Sequence, residues 1–183
     1  MSERKHRPRP DPTDGSTAYY FSPNGGCAAA IIAVLNAAQS SVDIAMYSFT
    51  NAEIAAAIMA VQSRKVPIRI VFDQSETQGT QATYHDQFEQ AGIPIKLYSP
   101  PNGILHDKYA IVDLATVING SFNWTEKAEH DNYENIQIHQ DPNLAGAYEA
   151  NYQVIWGLAQ LEVPPSERAR VREIRSLAPK PEF

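Results

Sequence analysis

Residues 106–123 read HDKYAIVDLATVINGSFN, from His106 to Asn123. As a pattern this is H-x-K-x4-D-x6-G-S-x-N. Lys108 to Val112 and Thr116 to Asn119 read as two consecutive strands about a short turn at Asp113-Leu114. On an extended segment side chains two apart share a face, so Lys108 lies on the same side as His106. An imidazole can act as nucleophile or general base near neutral pH. A neighbouring ammonium can neutralise an oxygen on the phosphorus being attacked. Gly120 permits a close backbone approach, and Ser121 and Asn123 bring short hydrogen-bonding side chains. These residue types suit attack on a phosphodiester, and none of the roles calls for a metal or cofactor.

The segments on either side alternate apolar strands with Ala-rich helices. Tyr19 to Phe21 reads as a strand, Cys27 to Ala38 as a buried helix and Val42 to Tyr47 as a strand. Thr50-x-x-Glu53 has the form of a capping box, opening a helix to about Arg64. Val66 to Phe72 and Ile95 to Tyr98 are further strands. Between them lie a polar loop over Asp73 to Gln81 and a helix over Thr83 to Ala91, stopped by Gly92. Gly120 to Asp131 is the expected site loop, and Glu134 to His139 a strand. Asp141-Pro142 then caps a helix running to about Leu158. The expectation is an α/β fold, a mixed and mostly parallel sheet with helices on both faces.

The pattern resembles the HKD signature of the phospholipase D superfamily, in particular its small, single-motif bacterial endonucleases of the Nuc type. Phe21-Ser22-Pro23, Tyr47-Ser48-Phe49-Thr50 and Glu134-Asn135 extend the likeness, which spans about Tyr19 to Trp156. The resemblance implies a phospholipase D-like fold and a metal-independent phosphodiesterase. It also implies a homodimer, because such chemistry uses two HKD motifs about one phosphate and this chain has one. In that reading His106 is the nucleophile and, from the second chain, the acid. Lys108, Ser121 and Asn123 hold the phosphate. Glu134 supports the imidazole, and Asp113 orients Lys108 or bridges the dimer. Nucleic acid, DNA or RNA, is the expected substrate. A lipid phosphodiesterase and a nucleic-acid-binding module with an unused catalytic pair are the alternatives.

Composition bounds these readings. With 183 residues, 43% of them hydrophobic, the chain suits one domain with a sizeable core. We expect a basic arm over residues 1–16, a catalytic domain over 17–163 and an Arg-rich tail over 164–183. The arm holds Arg4, Lys5, Arg7 and Arg9, and the tail Arg168, Arg170, Arg172, Arg175 and Lys180, nine of fifteen basic residues. Residues 11–165 keep six cations against seventeen carboxylates, a net charge near −11. Since non-specific nucleic-acid binding is mainly phosphate neutralisation, the tails are the expected source of affinity. The single Cys27 excludes an internal disulfide and reads as a packing residue. No apolar run reaches the roughly 18 residues of a membrane span, so stable membrane association is not expected. The polar, basic first sixteen residues lack the apolar core of a leader peptide, which points to the cytoplasm; an exported form already relieved of its leader is the alternative.

Overall fold

The computed structural model describes residues 17–76 and 83–161. The arm and tail, and most of the polar loop after Asp73, lie outside them. The elements run β1 (Thr17–Phe21), α1 (Cys27–Ala37), β2 (Val42–Met46), α2 (Ala52–Ser63), β3 (Ile68–Asp73), α3 (Thr83–Gln90), β4 (Ile95–Tyr98) and β5 (Lys108–Val112). There follow β6 (Thr116–Gly120), α4 (Glu126–His130), β7 (Asn135–Gln140), α5 (Pro142–Leu158) and β8 (Gln160–Leu161). All eight strands join one sheet in the order β1-β7-β6-β5-β2-β3-β4-β8.

The sheet is mixed and covered on both faces, as expected, but parallel pairing is confined to β2–β3 and β3–β4. The other neighbours are antiparallel. Connection length is the physical reason. Helical crossovers α2 and α3 allow parallel neighbours, whereas a short link between β5 and β6 can only reverse the chain. That link is a tight turn with Asp113 at φ 56° and Leu114 at φ 52°, closed by Ala115 N–H to the Val112 carbonyl at 3.1 Å. Two successive positive φ values give the turn the hand that matches strand twist. β1 and β2 do run the same way, but three strands separate them, because β1 pairs with β7 at the sheet edge.

Strand alternation divides the core in two. Val42, Ile44 and Met46 of β2 and Ile68, Ile70 and Phe72 of β3 face α1, α2 and α3, where Ile31, Leu35, Ile54, Ile58 and Phe88 are buried. Ala45, Val71, Tyr109, Ile111 and Val117 face Ala145, Tyr152 and Ile155 of α5. On this second face Arg69 pairs with Asp43 at 2.6 Å and Glu149 at 3.2 Å, and lies over the rings of Tyr152 and Trp156. Its carboxylate partners and aromatic bed tie β2 and β3 to α5.

Local signals explain the helix starts. Asp141 caps α5, accepting from the N–H groups of Asn143 and Leu144, with Pro142 at the first position. The cap of α2 falls one residue later than the Thr50-x-x-Glu53 box suggests. Asn51 accepts from Ile54 N–H at 2.9 Å, while the N–H groups of Thr50 and Asn51 are both taken by the Trp124 carbonyl. A tertiary partner thus removed Thr50 from the capping role.

Strand direction also sets the place of the site. β1, β2, β3, β4 and β6 end, and β5 and β7 begin, along one edge of the sheet. The registers Met46 with Lys108, Asp73 with Tyr98, Gly120 with Ile136 and Phe21 with Asn135 line these ends up. Open α/β sheets bind ligands at this kind of edge.

Candidate active site

His106 leaves the loop before β5 and is exposed, while Lys108, the first residue of β5, is buried to 8% exposure. Both meet the ring of Tyr47, which follows β2 directly. The His106 and Tyr47 rings meet edge to face with centroids 4.8 Å apart, and Lys108 Nζ lies 5.0 Å from the Tyr47 centroid. Lys108 Nζ also donates to the His106 carbonyl. The imidazole and the ammonium therefore share one wall, as the two-residue spacing requires. Burial lowers the Lys108 pKa, and the Asp107 and Glu134 carboxylates offset part of that fall.

The Gly120-Ser121-x-Asn123 segment lies against the start of β7. Gly120 has φ 155°, and a Cβ there would stand 2.1 Å from the Asn135 carbonyl oxygen, so only glycine fits. That oxygen accepts from Ser121 N–H at 3.1 Å and Phe122 N–H at 3.3 Å. Ser121 Oγ accepts from Asn135 N–H at 3.1 Å. Asn123 Oδ1 is buried without a hydrogen-bond partner.

Glu134 is fixed by Ser22: its N–H donates to Ser22 Oγ at 3.1 Å, and its carbonyl accepts from Ser22 N–H at 3.0 Å. Its carboxylate accepts from Asn132 Nδ2 at 3.2 Å. The structure therefore brings Glu134 to the site, where its charge acts on Lys108. Among the described residues it makes no hydrogen bond to His106.

Asp113 is not brought to the site. It stands beyond the far end of β5, about 17 Å of strand from Lys108 at the usual rise per residue. Its carboxylate accepts from the N–H groups of Gln39, Ser40 and Ser41 and from Ser40 Oγ. Burial alone would raise its pKa, but these bonds hold it below the ordinary carboxylate value. The expectation that Asp113 orients Lys108 is corrected: it ties the α1–β2 loop to the β5–β6 turn.

The sequence reading passed over Asp73. It ends β3 with no exposed surface. Its carboxylate accepts from Leu105 N–H at 2.7 Å, Ser99 Oγ at 2.9 Å, Ser75 N–H at 2.8 Å and Ser75 Oγ. Leu105 immediately precedes His106, so Asp73 anchors the loop that delivers His106. An acid closing a buried apolar strand at the ligand-binding edge was the available signal.

The aromatic residues beside Asn123, the lone cysteine and the other described histidines have partners away from His106 and Lys108. Phe122, Trp124 and Cys27 are buried. His85 stacks on Phe72 with centroids 4.2 Å apart. His130 meets Asn24 at 3.0 Å and Glu126 at 3.5 Å, and His139 meets Thr17 at 2.9 Å.

A sheet of this topology, with a histidine, a buried lysine and a Gly-Ser-x-Asn turn along one edge, defines a phospholipase D-like protein. Residues 31–156 match the family described as "Cardiolipin synthase, PLD-like domain", and the chain belongs to it. It is 34% identical over 132 residues to a phospholipase D of Rickettsia conorii, covering 72% of this chain and 65% of that protein. It is 32% identical over 126 residues to a mitochondrial cardiolipin hydrolase of Chlamydomonas reinhardtii, covering 68% and 55%. The chain thus spans somewhat over half the length of these curated relatives. Among solved structures it is similar to Nuc from Salmonella typhimurium, a phospholipase D family member. The TM-score is 0.76 at 32% identity, over 80% of this chain and 97% of that one.

Proposed function

We propose that this protein is a metal-independent phosphodiesterase that cuts nucleic acid as a non-specific endonuclease, working as a homodimer in the cytoplasm. The observation that carries the reading is the pairing of His106 with buried Lys108 on the Tyr47 ring, at the sheet edge where β6 ends in the Gly120-Ser121-x-Asn123 turn. Likeness to nearly the whole of Nuc supports a nuclease over a lipid enzyme, since the lipid-named relatives are matched over only about half to two thirds of their length.

One His106 attacks phosphorus and the bond to the leaving alcohol breaks, giving a phosphohistidine. The second chain's His106 gives its proton to the departing oxygen. That histidine then takes a proton from water, the hydroxide attacks phosphorus, and the first His106 is released. Lys108 from each chain, with Ser121 and Asn123, stabilises the charge on the five-coordinate phosphorus. The Glu134 carboxylate offsets part of the fall in pKa that burial imposes on Lys108.

The test is incubation of plasmid, single-stranded DNA, RNA and phospholipid with the protein in excess EDTA. Cleavage of nucleic acid is the expected result. Activity lost in EDTA and restored by Mg²⁺ would end the histidine mechanism, and cleavage of lipid alone would transfer the site to lipid phosphodiesters.

A further inference from the structure

Residues 47–51, Tyr-Ser-Phe-Thr-Asn, connect β2 to α2 along the sheet edge that holds the site. The connection is braced on both sides. Tyr47 N–H donates at 2.9 Å to the carbonyl of Asp107, the residue between His106 and Lys108. Phe49 is buried against Phe72, Phe88 and Trp124, and the N–H groups of Thr50 and Asn51 reach the Trp124 carbonyl. Trp124 follows Asn123, so one short segment bonds the backbone beside both parts of the site. Held in this way, Tyr47 sets its ring against His106 and Lys108. Its centroid is 4.8 Å from that of the imidazole, at an interplanar angle of 61°, and 5.0 Å from Lys108 Nζ. The hydroxyl is engaged elsewhere, with the Glu76 carboxylate. Burial and that carboxylate raise its pKa above the ordinary tyrosine value. The side chain therefore stays neutral and meets the pair through its π system, not as a phenolate.

We propose that Tyr47 is a positioning residue of the site, whose ring seats the His106 imidazole for attack and holds the Lys108 ammonium beside it. The proposal rests on the phosphodiesterase reading above and deepens it with a residue outside the H-x-K and Gly-Ser-x-Asn pattern. His106 is exposed on a loop, so its imidazole can turn about two side-chain bonds. Attack on phosphorus needs one narrow range of those angles. An edge-to-face aromatic neighbour restricts them. The ammonium lies within the roughly 6 Å at which a ring face attracts a cation. A ring holds Lys108 in place without the neutralising charge of a carboxylate, so the ammonium keeps its pull on phosphoryl oxygens.

The test compares full-length wild type, Tyr47→Phe, Tyr47→Leu and Tyr47→Met in hydrolysis of bis(p-nitrophenyl) phosphate and of single-stranded DNA. Thermal melts and light scattering establish folding and assembly. Tyr47→Phe keeps the ring and should keep most of the rate. Tyr47→Leu and Tyr47→Met lose it, and their kcat should fall by about tenfold or more with KM little changed. Proton NMR gives a reading without substrate. The His106 ring protons, assigned by their absence from His106→Ala, should be displaced by the ring current of residue 47 in wild type and Tyr47→Phe. In the two aliphatic variants they should return toward the values of a free imidazole. Equal losses of kcat in all three variants, a fall confined to KM, or no fall in a folded aliphatic variant would overturn the proposal. So would wild-type His106 protons at free-imidazole values, whether or not the aliphatic variants fold. If wild type cleaves no phosphodiester, the function reading fails, and the proton shifts alone then decide whether Tyr47 seats His106.

Discussion

Lys108 is the residue whose environment says most about the chemistry. An ammonium at 8% exposure is held below its ordinary pKa by burial, and the Asp107 and Glu134 carboxylates offset part of that fall. The cost of that burial is repaid only where negative charge develops nearby, as on a phosphorane. His106→Ala removes nucleophile and acid together, so activity should drop to background with no phosphoenzyme detected. Lys108→Ala keeps the nucleophile and loses charge stabilisation of about 3 kcal/mol per lysine, at least a hundredfold in kcat. Glu134→Gln should cost less. Because Glu134 raises the Lys108 pKa, its loss moves the alkaline limb of the pH–rate profile to lower pH. Steady-state rates across pH, with thermal melts to confirm folding, check the order His106 ≥ Lys108 > Glu134. A folded His106→Ala enzyme with near-native turnover would leave the mechanism without its nucleophile.

Among the elements, β3 and the loop before β5 are joined by one carboxylate. Asp73 bonds Leu105, Ser99 and Ser75, and so fixes the backbone next to His106. Asp73→Asn puts an N–H₂ group among donors and should destabilise the protein by about 1–3 kcal/mol. Displacement of His106 by even a fraction of an ångström should lower kcat tenfold to a hundredfold while KM changes little. An unchanged kcat in a folded variant would show that the loop needs no such anchor. The same group predicts a pH effect. Burial alone would raise its pKa, but the hydroxyl and N–H bonds from Ser75, Leu105 and Ser99 hold it below the ordinary value. Its contribution is present in full above the unfolded carboxyl pKa of about 3.9 and is lost as pH falls through the lower folded value. Wild type should therefore lose stability in acid below about pH 4 more steeply than Asp73→Asn, as denaturant midpoints against pH would record.

For the whole molecule, one H-x-K pair per chain gives either a nucleophile or an acid, not both. The active species should be a dimer by light scattering, and an active strict monomer would refute the shared site. Charge poses a separate question at this scale. The body is acidic, and nine of fifteen cations fall in the first sixteen and last twenty residues. Deleting both segments should raise KM for DNA and flatten its dependence on salt, with kcat little changed. An unchanged salt slope would place the binding charge on the body.

By itself the sequence determined most of the local elements and pointed to the candidate residues on one short stretch. Periodicity, Gly and Pro punctuation and the Asp141-Pro142 cap depend on neighbours within a few residues, so β1 to β7 and the four longer helices were readable within about two residues, whereas α4, inside the expected site loop, and β8 were not. His106, Lys108, Gly120, Ser121 and Asn123 were legible for the same reason: they lie within eighteen residues, and a strand's two-residue period fixes the relation of His106 to Lys108. The partners of a carboxylate across the fold follow no such rule. Asp113 looked like part of the site because it lies five residues from Lys108, but a strand carries it to the opposite end. Asp73, thirty-three residues before His106, is the one that reaches the loop. Sheet order was likewise a tertiary matter. Whether β1 sits beside β2 or at the far edge against β7 depends on which apolar faces α1 and α2 can cover together. That choice is made by the packed core and not by any segment alone.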